Sequence, residues 1–299
     1  MAMSINNLKI FINVADAESI TRAAEALHIT QPSVSKAVKN LEDELGVALF
    51  FRDKRNGLAL TGTGERILGF ARQLMLMEER IYQTAYMARN MLEGTLKIAT
   101  LPYGSIFFLV KAFSRFQERY PQVNVEITER PTSEVNRMVS EHAVEFGISV
   151  IPVADFEYEL LKKDRIVAIS GNPLDLECVD LSKLKQKFYV SQSAWESILP
   201  VLEQNHIKNY GRFKVVSIQT VRAIAEAGIG IGLQAESILP ENTTAYFKYP
   251  IKPQVNTDFV LIANKFDDLS PAAKAFIKTI HEIMQDLESQ SKSSKLCYS

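Results

Sequence analysis

The tightest constraint in this sequence lies in residues 5–60, where three amphipathic stripes follow one another with almost no chain between them. Leu8, Phe11, Ile12 and Ala15 fall at i, i+3, i+4 and i+7, the stripe of a first helix. Ser19 is placed to cap a second helix, whose Ile20, Ala23, Ala24 and Leu27 repeat the pattern. Thr30 is placed to cap a third, and Pro32 is tolerated in its first turn because the N–H there lacks an intrahelical partner. Val34, Val38, Leu41 and Leu45 share one face of that helix, and Gly46 suits a left-handed C-terminal cap. Only His28-Ile29 separates the second stripe from the third, so the two helices must meet at a sharp angle. Val47–Arg52 and Leu58–Leu60 then form two short apolar runs joined through Lys54-Arg55-Asn56-Gly57, and Asn-Gly is a strong hairpin signal. The pattern predicts a helix-turn-helix followed by a β wing.

From Gly64 to Leu92 there is no proline and one interior glycine, Gly69. Ile67, Leu74, Ile81 and Ala88 recur every seven residues, with Phe70, Met77, Thr84 and Met91 three positions later. A seam that long has no local core to bury it, so it predicts a linker helix that pairs two chains through Ile67, Phe70, Leu74, Met77, Ile81 and Ala88. Beyond Glu93-Gly94 short apolar strands alternate with helical stretches, which points to parallel sheets with helices on both faces. The expected division is 1–62 for the winged helix-turn-helix, 63–93 for the long helix and 94–290 for a two-lobed α/β domain. Within the last, the first lobe takes about 94–165 and 265–290, the second about 166–264. Ser289–Ser299 reads as a disordered tail, with 291–299 beyond the two-lobed domain.

Thirty-four basic against thirty-five acidic residues leave a net charge of −1. Residues 1–62 carry seven of each sign. Any anion site must therefore be a local arrangement, since the overall field favours none. No apolar stretch approaches the ~18 residues of a membrane span. The N-terminal MAMSINNLKIF lacks the features of a secretory signal. Cys178 and Cys297 are far apart, which argues against a disulfide framework. The expected compartment is the cytoplasm, with no membrane association.

Catalytic motifs fail on inspection. Ser33-Val-Ser-Lys36 has the Ser-x-x-Lys spacing but no Ser-Asp-Asn or Lys-Thr-Gly accompanies it. Gly228-x-Gly230-x-Gly232 lacks the dinucleotide spacing and follows a helix. His281-Glu282 begins an H-E-x-x-H that ends in Gln285, and the four histidines are scattered. No enzyme activity, metal or cofactor is expected.

The segment SITRAAEALHITQPSVSKAVKNLEDELGVALFFR, Ser19 to Arg52, closely resembles the signature of LysR-type transcriptional regulators. Leu60-Thr61 and Gly64 agree with that family's wing exit, and the two-lobed α/β pattern extends the resemblance over nearly the whole chain. It implies an α+β multidomain fold: an N-terminal winged helix-turn-helix, a long dimerising linker helix and a C-terminal two-lobed effector domain like a periplasmic binding protein. It further implies a homo-oligomer, a dimer or tetramer, that binds double-stranded promoter DNA, answers to a small-molecule effector and can contact RNA polymerase. The competing reading of residues 95–290 is a periplasmic solute-binding protein without a regulatory role.

The expected DNA contacts are Thr30, Gln31, Pro32, Ser33, Ser35, Lys36 and Lys39, which cap or face outward from the third helix, with Arg52 and Arg55 of the wing. The expected effector contacts lie where strands lead into helices: Thr100, Tyr103, Gly104 and Ser105, then Thr132 and Ser133, then Gln219 in the second lobe. The family often ends the third strand of its effector domain with Asp-Leu-Ala-Ile, and this chain departs from it with Glu145-Phe146-Gly147-Ile148.

Overall fold

The computed structural model describes residues 4–53, 57–87, 92–104, 108–153, 155–208, 217–240 and 243–296. The chain divides into two compact units, residues 1–89 with 141–143, and residues 90–140 with 144–299.

In the first unit the expected elements form in order: α1 (Ile5–Ala17), α2 (Ile20–Ala26), α3 (Gln31–Leu45), β1 (Phe50–Asp53), β2 (Gly57–Leu60) and α4 (Gly62–Met87). Ser19 accepts the N–H of Arg22 at 3.3 Å and Thr30 that of Ser33 at 3.4 Å, so both sequence-derived caps are made. Gly46 ends α3 at φ +69, where a side chain would be strained. The apolar stripes converge: Leu8, Phe11, Val14, Ala24, Val34, Val38 and Leu41 are buried in one core. The Phe11 and Phe50 rings meet edge to face at 5.5 Å. Glu42 ties the wing to α3, its Oε1 accepting the N–H groups of Leu49 (2.8 Å) and Phe50 (3.3 Å). Thr61 Oγ1 accepts the N–H of Gly64 at 2.9 Å and thereby caps α4. A Cβ on Gly64 would come within 2.1 Å of the Leu49 carbonyl oxygen, so only glycine permits this approach.

Two faces of α4 have different fates. Leu68 and Ala71 are buried in the helix-turn-helix core, with Ile67 packed at its edge. Phe70, Leu74, Met77 and Ile81 are exposed at 67%, 36%, 50% and 63%. Ile67 therefore leaves the expected seam and serves its own domain, while Ala88 lies outside the described residues.

The second unit contains two five-stranded sheets. The first has the order β4 (Val123–Glu129), β3 (Gly94–Thr100), β5 (Phe146–Val150), β12 (Phe259–Ala263) and β6 (Glu157–Lys162). α6 (Val110–Arg119) and α10 (Pro271–Leu296) contribute to the core that buries Phe116, Phe146 and Phe276. α7 (Thr132–Ser140) packs Val135 and Val139 into a cluster with Ala99, Val260 and Ile262. The second sheet has the order β8 (Val179–Asp180), β11 (Phe247–Lys252), β7 (Ile166–Ser170), β10 (Ile231–Ala235) and β9 (Phe188–Val190). Its core includes Ile198 and Leu202 of α8 (Gln192–Gln204). α9 (Ile218–Glu226) supplies Ala225 to a separate cluster with Val167 and Ile169.

Several expectations are corrected. β12 belongs to the first lobe, paired antiparallel with both β5 and β6, although its place in the sequence suggested the second. Both sheets are mixed: β3 pairs in parallel with β4 and β5, but β7 runs antiparallel to β10 and β11. The run Lys214–Ile218 reads as a strand by sequence; residues 214–216 lie outside the described residues, and Ile218 opens α9. The helix α10 continues to Leu296 in place of a tail beginning at residue 289, with 297–299 outside the described residues. The departure at Glu145 has a structural reason. Its buried carboxylate accepts both the N–H and the hydroxyl of Ser270, each at 2.9 Å, just ahead of α10.

Candidate nucleic-acid interface and effector cavity

α3 is held by Val34, Ala37, Val38 and Leu41, all buried. That geometry leaves Gln31, Pro32, Ser33, Ser35, Lys36 and Lys39 exposed, together with the cap Thr30. The N-terminal turn is ordered by its own side chains. Gln31 Nε2 donates to Thr21 Oγ1 of α2 at 2.8 Å, which braces the two helices. The Thr30 and Ser33 hydroxyls are 2.9 Å apart and hydrogen-bonded. Gln31 therefore keeps its amide oxygen for an outside partner, while Thr30 acts first as a cap. Lys36 and Lys39 project from the next turns and make no ion pair among the described residues. A helix fixed by one apolar face and presenting short polar and basic groups on the other can enter a major groove. Arg52 lies on β1 opposite Leu58, with its side chain outside the described residues, as is the whole of Arg55.

The second unit holds a cavity between its lobes. The first lobe contributes Leu101, Val150 and Phe259; the second contributes Ser191, Ala194, Ile218, Gln234, Ala235 and Ile238; Thr257 comes from the connection between them. The chain passes between the lobes twice, at 163–165 and 253–258. Both passages are tied down. Asp164 accepts the Ser237 hydroxyl at 2.5 Å, Thr257 N–H donates to the Asp164 carbonyl at 3.0 Å, and Arg165 pairs with Glu236 at 2.8 Å. The hydrogen bond and charge of Glu236 raise the Arg165 pKa further above its ordinary value.

The five described residues among the seven expected effector contacts, Thr100, Gly104, Thr132, Ser133 and Gln219, are not part of this cavity's lining. Thr100 is buried with its hydroxyl donating to the Leu101 carbonyl at 3.1 Å. Gly104 packs directly on it, since a Cβ there would lie 2.0 Å from Thr100 Oγ1. Thr132 is buried at the start of α7 and already engaged by the protein. The neighbouring Ser133 N–H donates to Glu196 Oε1 of α8 at 3.3 Å. Gln219 is occupied by the cap of α9, its N–H donating to Ser217 Oγ at 3.2 Å and its Oε1 accepting from that hydroxyl at 2.5 Å. The Tyr103 side chain and Ser105 lie outside the described residues. Two of the cavity's residues, Leu101 and Ile218, are the chain neighbours of Thr100 and Gln219. The polar residues that reach the cavity, Ser191, Gln234 and Thr257, are not among the expected contacts. Only Gln234 carried a signal: it is the single polar side chain in the buried strand Ile231–Ala235.

Comparison with known proteins agrees with both halves of this architecture. Residues 5–65 match the bacterial regulatory helix-turn-helix protein, lysR family, and residues 89–285 match the LysR substrate binding domain. The uncharacterized HTH-type transcriptional regulator YoaU of Bacillus subtilis is 33% identical over 289 residues, covering 95% of this chain and 100% of that protein. The Hca operon transcriptional activator HcaR of Escherichia coli is 27% identical, with 94% and 98% covered. Among solved structures, a full-length OxyR variant from Pseudomonas aeruginosa shares the fold with a TM-score of 0.69 at 21% identity, covering 94% of this chain and 97% of that one. CbnR, a LysR family transcriptional regulator, gives 0.61 at 19% identity, with 94% and 99% covered. A winged helix-turn-helix with an outward polar face, a long helix and a two-lobed domain around a cavity, matched along almost their full length, place this chain in the LysR family of transcriptional regulators.

Proposed function

We propose that this chain is a cytoplasmic regulator that binds promoter DNA by inserting the N-terminal half of α3 into the major groove. Gln31, Ser35 and Lys36 face the base edges, and Lys39 lies at the phosphates. The observation that carries this reading is the division of α3: one face is sealed in the core, and the other is exposed, polar and basic. The exposed α4 seam supports pairing of two chains, since four large apolar side chains in a row on one helix face gain by leaving water. A dimer would offer two α3 helices to half-sites about one helical turn apart, and two dimers would offer four. A small molecule held between the lobes acts by favouring one arrangement of that assembly over another, because DNA and ligand contact different units. RNA polymerase is a further partner in this reading.

The test is a gel shift with the DNA upstream of the chain's own gene, against a scrambled duplex of equal length. Upstream DNA is expected to be retained at protein concentrations at least a hundredfold lower. Equal retention of both at every salt concentration would refute sequence-specific binding.

A further inference from the structure

We infer that the interlobe cavity takes an uncharged small molecule with an apolar body and a hydrogen-bond donor, and that Gln234 and Ser191 read that donor. The inference rests on the proposed function, which makes this cavity the effector site. The walls are mainly Leu101, Val150, Ile218, Ile238 and Phe259, and among the described residues no charged side chain lines the space. A carboxylate placed there would lose its water without gaining a cation.

Helix N-termini could supply an anion site instead, but those nearest the expected contacts are in use. The N–H of Ser133 at α7 faces the carboxylate of Glu196, which would also repel an incoming anion. The N–H of Gln219 at α9 is taken by Ser217.

What remains unsatisfied has the opposite polarity. Gln234 Nε2 donates to the Ile218 carbonyl at 2.7 Å, which fixes the amide so that Oε1 is the other, accepting end. Among the described residues Gln234 Oε1 has no partner, and the residue is only 1% exposed. Ser191 stands at the N-cap of α8, yet its hydroxyl makes no cap bond. It too is 1% exposed and unpartnered. Buried polar groups are almost always satisfied, and a ligand O–H or N–H meets the demand of Gln234, while the Ser191 hydroxyl can donate or accept. The free space is about 30 Å³, close to the volume of one water molecule. A ligand with an apolar body therefore enters as the lobes part about the two connections at 163–165 and 253–258.

The experiment titrates the full-length chain with three probes of one shape, benzyl alcohol, toluene and benzoate, by ligand-observed NMR. Benzyl alcohol is expected to bind about tenfold more tightly than toluene, and benzoate more weakly than either. Gln234→Met keeps the side-chain length and removes the acceptor, so the alcohol should fall to the toluene affinity while toluene stays within about twofold. Ser191→Ala should narrow the same gap and serves alone if Gln234→Met fails to fold. The inference is overturned if benzoate binds as tightly as benzyl alcohol, if the alcohol preference survives in the folded variants, or if none of the probes binds. Gel shifts on the same preparations separate the two readings. A chain that selects its upstream DNA but prefers benzoate refutes the ligand class alone. A chain that selects no DNA refutes the proposed function, and the order of the three probes still decides the ligand class.

Discussion

Replacing Ile81 with alanine separates assembly from folding, because this side chain belongs to no core of its own chain. Ile81 is 63% exposed on α4, in line with Phe70, Leu74 and Met77. Fully burying such a side chain is worth ~1.5–3 kcal/mol, so sealing the exposed share against a partner helix contributes about 1–2 kcal/mol per protomer. Alanine keeps one methyl group of this, and each dimer carries the change twice, so the expected loss is about 2–3 kcal/mol. At 1.4 kcal/mol per factor of ten, the dimer Kd should rise roughly 30- to 150-fold. Sedimentation over a dilution series gives that Kd, and thermal melting of the dissociated chain should show no loss of stability. Leu68→Ala is the matched control more than three turns nearer the start of the same helix, since Leu68 is buried in the helix-turn-helix core. It should cost ~2–5 kcal/mol of folding stability and leave the Kd of the molecules that remain folded unchanged. A dimer Kd for Ile81→Ala within threefold of the parent, in a folded protein, would refute the seam.

Lys36→Ala should weaken specific DNA binding by roughly 1–3 kcal/mol if the ammonium reads a base; if it contacts phosphate, all sequences should weaken alike and the salt slope should fall by about one. Fluorescence anisotropy across a salt series distinguishes the two, and unchanged affinity for every duplex would remove Lys36 from the interface. Gly64→Ala forces a Cβ to within 2.1 Å of the Leu49 carbonyl oxygen, so the wing or the start of α4 must shift; a melting temperature equal to the parent's would contradict this packing. Burial raises the Tyr246 pKa above the ordinary tyrosine value, and its hydroxyl has no partner among the described residues. The unfolded chain therefore loses this proton first, and the associated stability is lost as pH rises from the ordinary tyrosine pKa through the raised one. Tyr246→Phe should flatten that alkaline decline in urea melts without cost at neutral pH, whereas an unaltered alkaline limb would mean that Tyr246 does not drive it.

The first unit was legible because its information is local. Caps at Ser19 and Thr30, the left-handed Gly46 and the Val34, Val38 and Leu41 stripe of α3 each act within a few residues and form as read, while Leu45, the last residue of that stripe, is exposed. In α4 a second position departs: a seven-residue repeat cannot distinguish Ile67, which the neighbouring core claims, from Phe70, which it does not. The second unit was legible in its alternation of elements and not in its pairing. Phe259–Ala263 is an apolar run that would suit the middle of either sheet, and only contacts more than a hundred residues away select the first. β6 is hard to read from sequence because this edge strand leaves its apolar Tyr158 and Leu160 exposed. The cavity fails to show in sequence for a related reason. Ser191 is an ordinary helix cap by position, and nothing local reveals that its hydroxyl makes no cap bond and that the residue lines the cavity instead.

The position of β12 also orders events on the ribosome. β3, β4, β5 and β6 have all been made by Lys162, but the strand that joins β5 to β6 begins only at Phe259. At ~5–20 residues per second, the roughly hundred residues between them delay completion of the first sheet by about 5–20 s. Throughout that interval the inner edge of β5 carries unpaired backbone N–H and C=O groups, a template for the wrong strand. The second lobe, by contrast, has all five of its strands in hand before β12 emerges. Synthesis therefore finishes the inserted lobe first, and the lobe that begins the domain is the last to close.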